Sequence, residues 1–188
     1  METDGQRSAD AGPAGLAAAP DDVASEADAR ALGSVLRMRI LRLCLDQALT
    51  NKQIATRLGK DPATVYHHVR TLAERGFLAA QPARRGARGA REVPYLATRK
   101  SWRTSLGPGG NRVLIETFLE EVAEADPESV DIARLGVRLD AAGLAELNER
   151  IIGVLQEFAD MKPDAGGVPY SIFFALHEDA ARRERSGE

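Results

Sequence analysis

Residues 50 to 72, TNKQIATRLGKDPATVYHHVRTL, leave this chain few ways to fold. Thr50 is placed to cap a helix, and Gln53 three positions on completes a capping box. Ile54, Ala55 and Leu58 give that helix an apolar face, and Gly59 follows the last of them, where a left-handed residue ends a helix without steric cost. Asp61 and Pro62 then restart the chain as cap and first helical residue. Two helices joined this tightly must cross steeply, and small Ala55 permits the approach. The spacing predicts a helix-turn-helix.

Helical phase sorts the second helix, expected over 62–75. At about 100° per residue, Val65, Val69 and Leu72 share one face and belong to the core. Ala63, His67, Arg70 and Glu74 lie opposite, and Thr64 and Tyr66 flank the N-terminal end. In a helix-turn-helix that end meets base edges in the major groove. Ala63 allows close approach, Thr64 and His67 can hydrogen-bond to bases, and Arg70 suits a guanine or a phosphate. His68 falls near the apolar side and reads as a packing residue. Thr50, Asn51 and Lys52, at the start of the first helix, are further candidates for backbone contact.

After Gly76 the hydrophobic period changes from helical to alternating. Phe77 and Leu78 begin a strand, while Val93, Tyr95 and Leu96 belong to a returning one. Between them stands RRGARGAR, whose Arg84, Arg85, Arg88 and Arg91 meet no acid until Glu92. An arginine-tipped hairpin directly after a helix-turn-helix reads as a wing, directed at the DNA backbone or minor groove. Trp102 is expected to plug its underside.

Charge is distributed in the same sense. The chain of 188 residues carries a net charge of −3, but residues 30 to 103 hold 16 Lys/Arg against 4 Asp/Glu. Residues 1 to 29 come to −6 and residues 104 to 188 to −9. A basic module between acidic ones fits a nucleic-acid reader joined to an association domain.

The remaining stretches complete the division. Residues 1 to 28 lack periodicity and aromatics and read as a disordered acidic tail. Residues 29 to 46 predict one amphipathic helix, with Leu32, Val35, Leu36, Ile40, Leu43 and Cys44 inward and Arg37, Arg39 and Arg42 on faces open to phosphate. Cys44 is a small core residue. A winged domain is thus expected over 29–103, a linker over 104–110, an association domain over 111–180 and a flexible tail over 181–188. In the association domain the expected elements are a helix at 111–125, a strand in ARLGVRLD, a long helix after Asp140 and an apolar strand at 168–177. The class is α+β: a winged helix-turn-helix followed by a small helix-strand-helix-strand unit. So few strands cannot finish a sheet, and pairing with a second copy protects edge and apolar surface.

Other chemistries find no support. There is no phosphate loop, nucleophile elbow or His-Glu-x-x-His helix, so no catalytic residue is assigned. His177, Glu178 and Asp179 adjoin, but no second histidine accompanies them, so no metal or cofactor is expected. One cysteine makes no disulfide framework. The lack of an apolar run of 18 residues excludes a helical membrane span, and the N-terminus has no signal-peptide pattern, so a cytoplasmic location is expected. The rival reading is a winged helix that binds another protein and no specific DNA.

LGSVLRMRILRL, QIATRLGKDPATVYHHVRTLAERGFL and the arginine-rich hairpin ending in PYLAT together resemble the ArsR-type winged-helix bacterial transcription regulators, over about residues 30 to 100. The resemblance implies a dimer on pseudo-palindromic double-stranded DNA, usually acting as a repressor. It does not carry over metal sensing, because the positions around Asn51 to Leu58 contain no cysteine. NERIIGVLQEFAD and PYSIFFAL are similar to an actinobacterial subgroup, which implies a homodimer formed by the C-terminal region and a pocket for a small-molecule effector.

Overall fold

The computed structural model describes residues 25–86, 89–104 and 106–182. Arg88, most of the expected acidic tail and the last six residues lie outside that range. The elements in chain order are α1 (Glu26–Leu32), α2 (Val35–Leu43), β1 (Leu49–Thr50), α3 (Asn51–Leu58), α4 (Pro62–Glu74), β2 (Leu78–Ala80), β3 (Arg84–Arg85), β4 (Arg91–Glu92), β5 (Pro94–Ala97), α5 (Gly107–Ala123) and α6 (Ala141–Asp160). The α+β class and the winged helix-turn-helix are both present.

Helices α1 to α4 pack on a three-stranded antiparallel sheet of order β1-β5-β2. Leu49 pairs with Tyr95, and Leu78 with Ala97. Among the described residues, Leu32, Ile40, Cys44, Leu49, Ile54, Val65, Val69, Leu72 and Phe77 are fully enclosed in the core. Burial pushes the Cys44 thiol up to about 11, so it stays protonated and packs as a small apolar group. Leu106, Val113 and Leu114 rest against the outside of this core, which places α5 alongside α1 and α2.

The expected single helix over 29–46 is two helices. Ser25 caps α1 four residues before the expected start of the domain at 29, and α1 ends at Gly33, whose amide donates to the Arg30 carbonyl. Ser34 is extended and starts α2 on a new axis. Periodicity missed this because apolar residues on both sides of the break face the same core. Asp28, assigned to the tail, is buried and accepts from Arg75 at 2.6 Å and Lys100 at 2.8 Å. Lys100 also lies 4.7 Å from the centre of the Phe77 ring.

Three further expectations are corrected. Residues 107–110 of the expected linker form the first turn of α5, where Pro108 is tolerated because first-turn amides lack an intrahelical partner. Neither expected C-terminal strand forms: residues 133–140 and 168–177 carry no ladder and no regular secondary structure. Trp102 does not sit under the hairpin; its indole N–H donates to Gln156 Oε1 on α6 at 3.0 Å, while Arg99 donates to the Ala159 carbonyl. Side-chain partners so far apart in sequence leave no periodic trace.

Candidate nucleic-acid interface

The helix-turn-helix is held by its own termini. Thr50 Oγ1 accepts from the Gln53 amide at 3.3 Å, and Gln53 Oε1 accepts from the Thr50 amide at 2.9 Å, which closes the capping box. Gly59 ends α3 in the left-handed region at φ 60°, a conformation that would strain any residue with a Cβ. Asp61 Oδ1 accepts from the amides of Ala63 and Thr64, at 2.8 and 3.2 Å, and so fixes where α4 begins. Asn51 Nδ2 then donates to the Pro62 carbonyl at 2.8 Å and ties the start of α3 to the start of α4.

These bonds remove two residues from the candidate contact set. Thr50 is only 3% exposed and its hydroxyl is committed to the cap. Asn51 is half-buried and its amide is engaged across the two helices, with Oδ1 enclosed. Both frame the motif. Lys52, one position on, is exposed.

Along α4 the division is sharp. Val65, Val69 and Leu72 are enclosed, while Ala63, Thr64, Tyr66, His67 and Arg70 are exposed. Tyr66 and His67 meet edge to face, ring centres 5.8 Å apart. Arg70 Nε donates to Glu74 Oε1 at 2.7 Å, so it must exchange that carboxylate to reach a base or a phosphate. His68 is half-buried, with Nδ1 3.4 Å from an Arg37 guanidinium nitrogen. Burial, with Arg37 and His67 adding to it, holds the ring below the usual histidine range. His68 is therefore neutral at pH 7, and the Arg37 contact makes Nδ1 the acceptor and Nε2 the proton-bearing nitrogen.

The wing is a two-stranded ladder in which Arg84 faces Glu92 and Arg85 faces Arg91. Its turn is closed by Gly86, whose amide donates to the Ala90 carbonyl at 2.7 Å. A Cβ on Gly86 would stand 2.3 Å from the Glu92 carboxyl carbon, a clash that a turn of that flexible side chain relieves. Arg84, Arg85 and Arg91 are exposed around a groove of about 470 Å³ lined also by Ala83 and Gly89. Like charges directly opposite on a ladder repel, so an anion between Arg85 and Arg91 relieves the wing. Arg84 also reaches back: its guanidinium donates to Gln53 Oε1 at 2.9 Å, the same oxygen that closes the α3 cap. Sequence reading missed this link from wing to helix because it joins residues 31 apart in a loop-spanned pair.

Arg39 and Arg42, expected on open faces, are taken up by α5. Arg39 pairs with Glu120 at 3.2 Å and with Glu124, and Arg42 with Glu121 at 2.8 Å. Arg37 donates to the carbonyls of Arg30 and Ala31, capping the end of α1. All three serve internal packing. Among the described residues no three of His, Cys, Asp and Glu converge as a metal site, and no helix is long and apolar enough to cross a membrane.

The IclR helix-turn-helix domain is the family whose model matches, over residues 44–82. That match takes in the motif and is shorter than half the chain, so it places a helix-turn-helix domain without assigning the whole. The shared content with the ArsR-type likeness is the helix-turn-helix itself. The comparison with curated proteins found no match. Among solved structures, the chain is similar to ZitR of Lactococcus lactis in complex with DNA, at 19% identity over 66% of this chain and 74% of that one, TM-score 0.30. It is similar also to the adhesin competence repressor AdcR of Streptococcus pyogenes, at 17% identity over 67% and 81%, TM-score 0.31. Likenesses at such TM-scores carry no weight for function here, and what those proteins bind is said of them alone.

Proposed function

We propose that the chain is a sequence-specific DNA-binding transcriptional regulator, a homodimeric repressor of the ArsR-type winged-helix kind. The observation that carries this reading is the two-sidedness of α4 beside the wing. One face is locked into the core by Val65, Val69 and Leu72, and the other offers Ala63, Thr64, Tyr66, His67 and Arg70 to solvent, flanked by Arg84, Arg85 and Arg91. In this reading α4 enters the major groove, and Lys52 and the wing arginines, with Arg88 beside them in sequence, hold phosphate or the minor groove. The acidic C-terminal half pairs two copies and receives the small-molecule effector, and the protein works in the cytoplasm.

A gel-shift titration against salt, with footprinting on candidate operators, tests the reading. If each subunit neutralises about 3 to 5 phosphates, log K for the dimer falls with log salt at a slope of roughly −5 to −9. Binding indifferent to salt, or unchanged when the wing arginines become alanine, would sink the proposal in favour of a protein-binding winged helix.

A further inference from the structure

The wing is joined to the rest of the molecule less firmly than a continuous hairpin would be. Its ladder, β3 with β4, is a sheet of its own, separate from β1-β5-β2. Between the pairs Ala80–Tyr95 and Arg84–Glu92 stand three residues on one strand, 81–83, and two on the other, 93–94. The extra residue is a β-bulge, which interrupts the ladder, bends the strand and re-aims the side chains beyond it. On the inner side the Gln81 amide donates to the Pro94 carbonyl at 2.8 Å. Pro82, the next residue, has no amide hydrogen to give. The outer hairpin is therefore hinged at 81–83, and its backbone alone does not set its angle to the helices.

One side chain spans the hinge. Among the described residues, the hydrogen bond that leaves 83–92 for a helix is the one from Arg84 Nη2 to Gln53 Oε1, at 2.9 Å. The ladder sets Glu92 opposite Arg84, but the Glu92 carboxylate lies against Gly86, and the guanidinium goes to α3 instead. Gln53 Oε1 also accepts from the Thr50 amide at 2.9 Å, so two donors meet one oxygen and use both its lone pairs. That oxygen cannot follow a moving wing without opening the capping box of α3. At the same end of α3, Asn51 holds the start of α4. The wing, α3 and α4 are thus all fixed to residues 50–53. The guanidinium groups of Arg85 and Arg91, by contrast, have no partner among the described residues.

We infer that Arg84 is a positioning residue: its bond to Gln53 braces the wing against α3, and phosphate contact on the hairpin falls to Arg85 and Arg91. This rests on the DNA-binding reading given above and divides the labour within it. A braced wing is ordered before DNA arrives, so the cost of ordering it is absent from binding. Nitrogen-15 relaxation of the free full chain, with gel shifts of the same variants, tests the inference. In the wild type the amides of 84–85 and 91–92 have order parameters of about 0.8. These fall below about 0.6 in Arg84→Ala and in Gln53→Met, while those of α4 hold and Arg85→Ala changes neither. Arg84→Ala weakens DNA binding about two- to tenfold. The same change in a Gln53→Met background, which lacks the acceptor, weakens it no further. A hairpin equally ordered, or equally mobile, in wild type and Arg84→Ala overturns the inference. So does an Arg84→Ala loss of the same size in both backgrounds, the mark of a direct phosphate contact. A wild type that binds no DNA sinks the regulator reading instead, and relaxation still decides the brace.

Discussion

His67 and His68 are neighbours with opposite duties, and the difference is one of helical phase. The 100° step puts His67 on the open face of α4 and turns His68 toward Arg37. That much was legible, as were Val65, Val69 and Leu72, because burial on a helix follows spacing. The cap made by Thr50 was legible too, from its spacing to Gln53, but the duty of Asn51 was not, since a cross-helix bond depends on where a side chain turns after the backbone has folded. Replacing Arg70 by alanine is expected to cost about 1–3 kcal/mol of specific DNA affinity while the thermal midpoint stays put. Glu74→Ala releases Arg70 and is expected to leave that affinity equal or higher. Quantitative footprinting of both variants checks the pair. Asp28 gives a prediction of a different kind. The Lys100 hydrogen bond, with Arg75 beside it, holds its carboxyl below the usual aspartate range. The unfolded chain then binds more protons as pH falls below about 4, so the stability contributed by Asp28 is present at neutral pH and lost in acid. His68, held below its usual range, withdraws stability in the same direction but as pH falls below about 6.5. Urea midpoints measured from pH 7 to 3 should show both declines in the wild type and only the His68 decline in Asp28→Asn.

Elements were read well where a local rule sets them and badly where it does not. The capping box, the left-handed glycine and the Asp-Pro start delimit α3 and α4 nearly to the residue. The break at Gly33 and the early start of α5 escaped notice because neither interrupts an apolar period. The unladdered C-terminal segments have the alternation of strands, and alternation reports a half-buried pleat without saying whose edge will pair with it. Asp61→Ala is expected to cost about 1 kcal/mol, read in chemical denaturation, because it deprives the amides of Ala63 and Thr64 of their acceptor. In the wing, Arg85→Ala with Arg91→Ala removes the repelling pair. The expected outcome is an unchanged or slightly raised stability of the free protein together with a salt slope shallower by about 1 to 2 per subunit. A slope that does not move would place those arginines away from DNA.

At the scale of the whole molecule, the buried apolar core ends at Ala97, while α6 runs for 20 residues with no side chain enclosed. Phe158 on α6 remains 59% exposed and Leu135 84%. A chain in this condition gains stability from a partner, and anything that binds only the folded state shifts its unfolding by mass action. The thermal midpoint of the C-terminal half is therefore expected to rise with protein concentration, by differential scanning fluorimetry through Trp102, which touches α6. The proposed dimer, with its two copies related by a two-fold axis, requires operator half-sites about 10 bp apart or a multiple of one helical turn, and insertion of 5 bp between half-sites is expected to abolish binding in a gel shift.

The placement of that core has a consequence for how the protein is made. Everything needed to enclose Phe77, Leu72 and Ile40 is present once Ala97 has left the ribosome, and α5 completes the outer layer by residue 123. Domains fold as units during synthesis, earlier ones first. The basic half is thus mature on the nascent chain while α6 and the segments around it are still to be made.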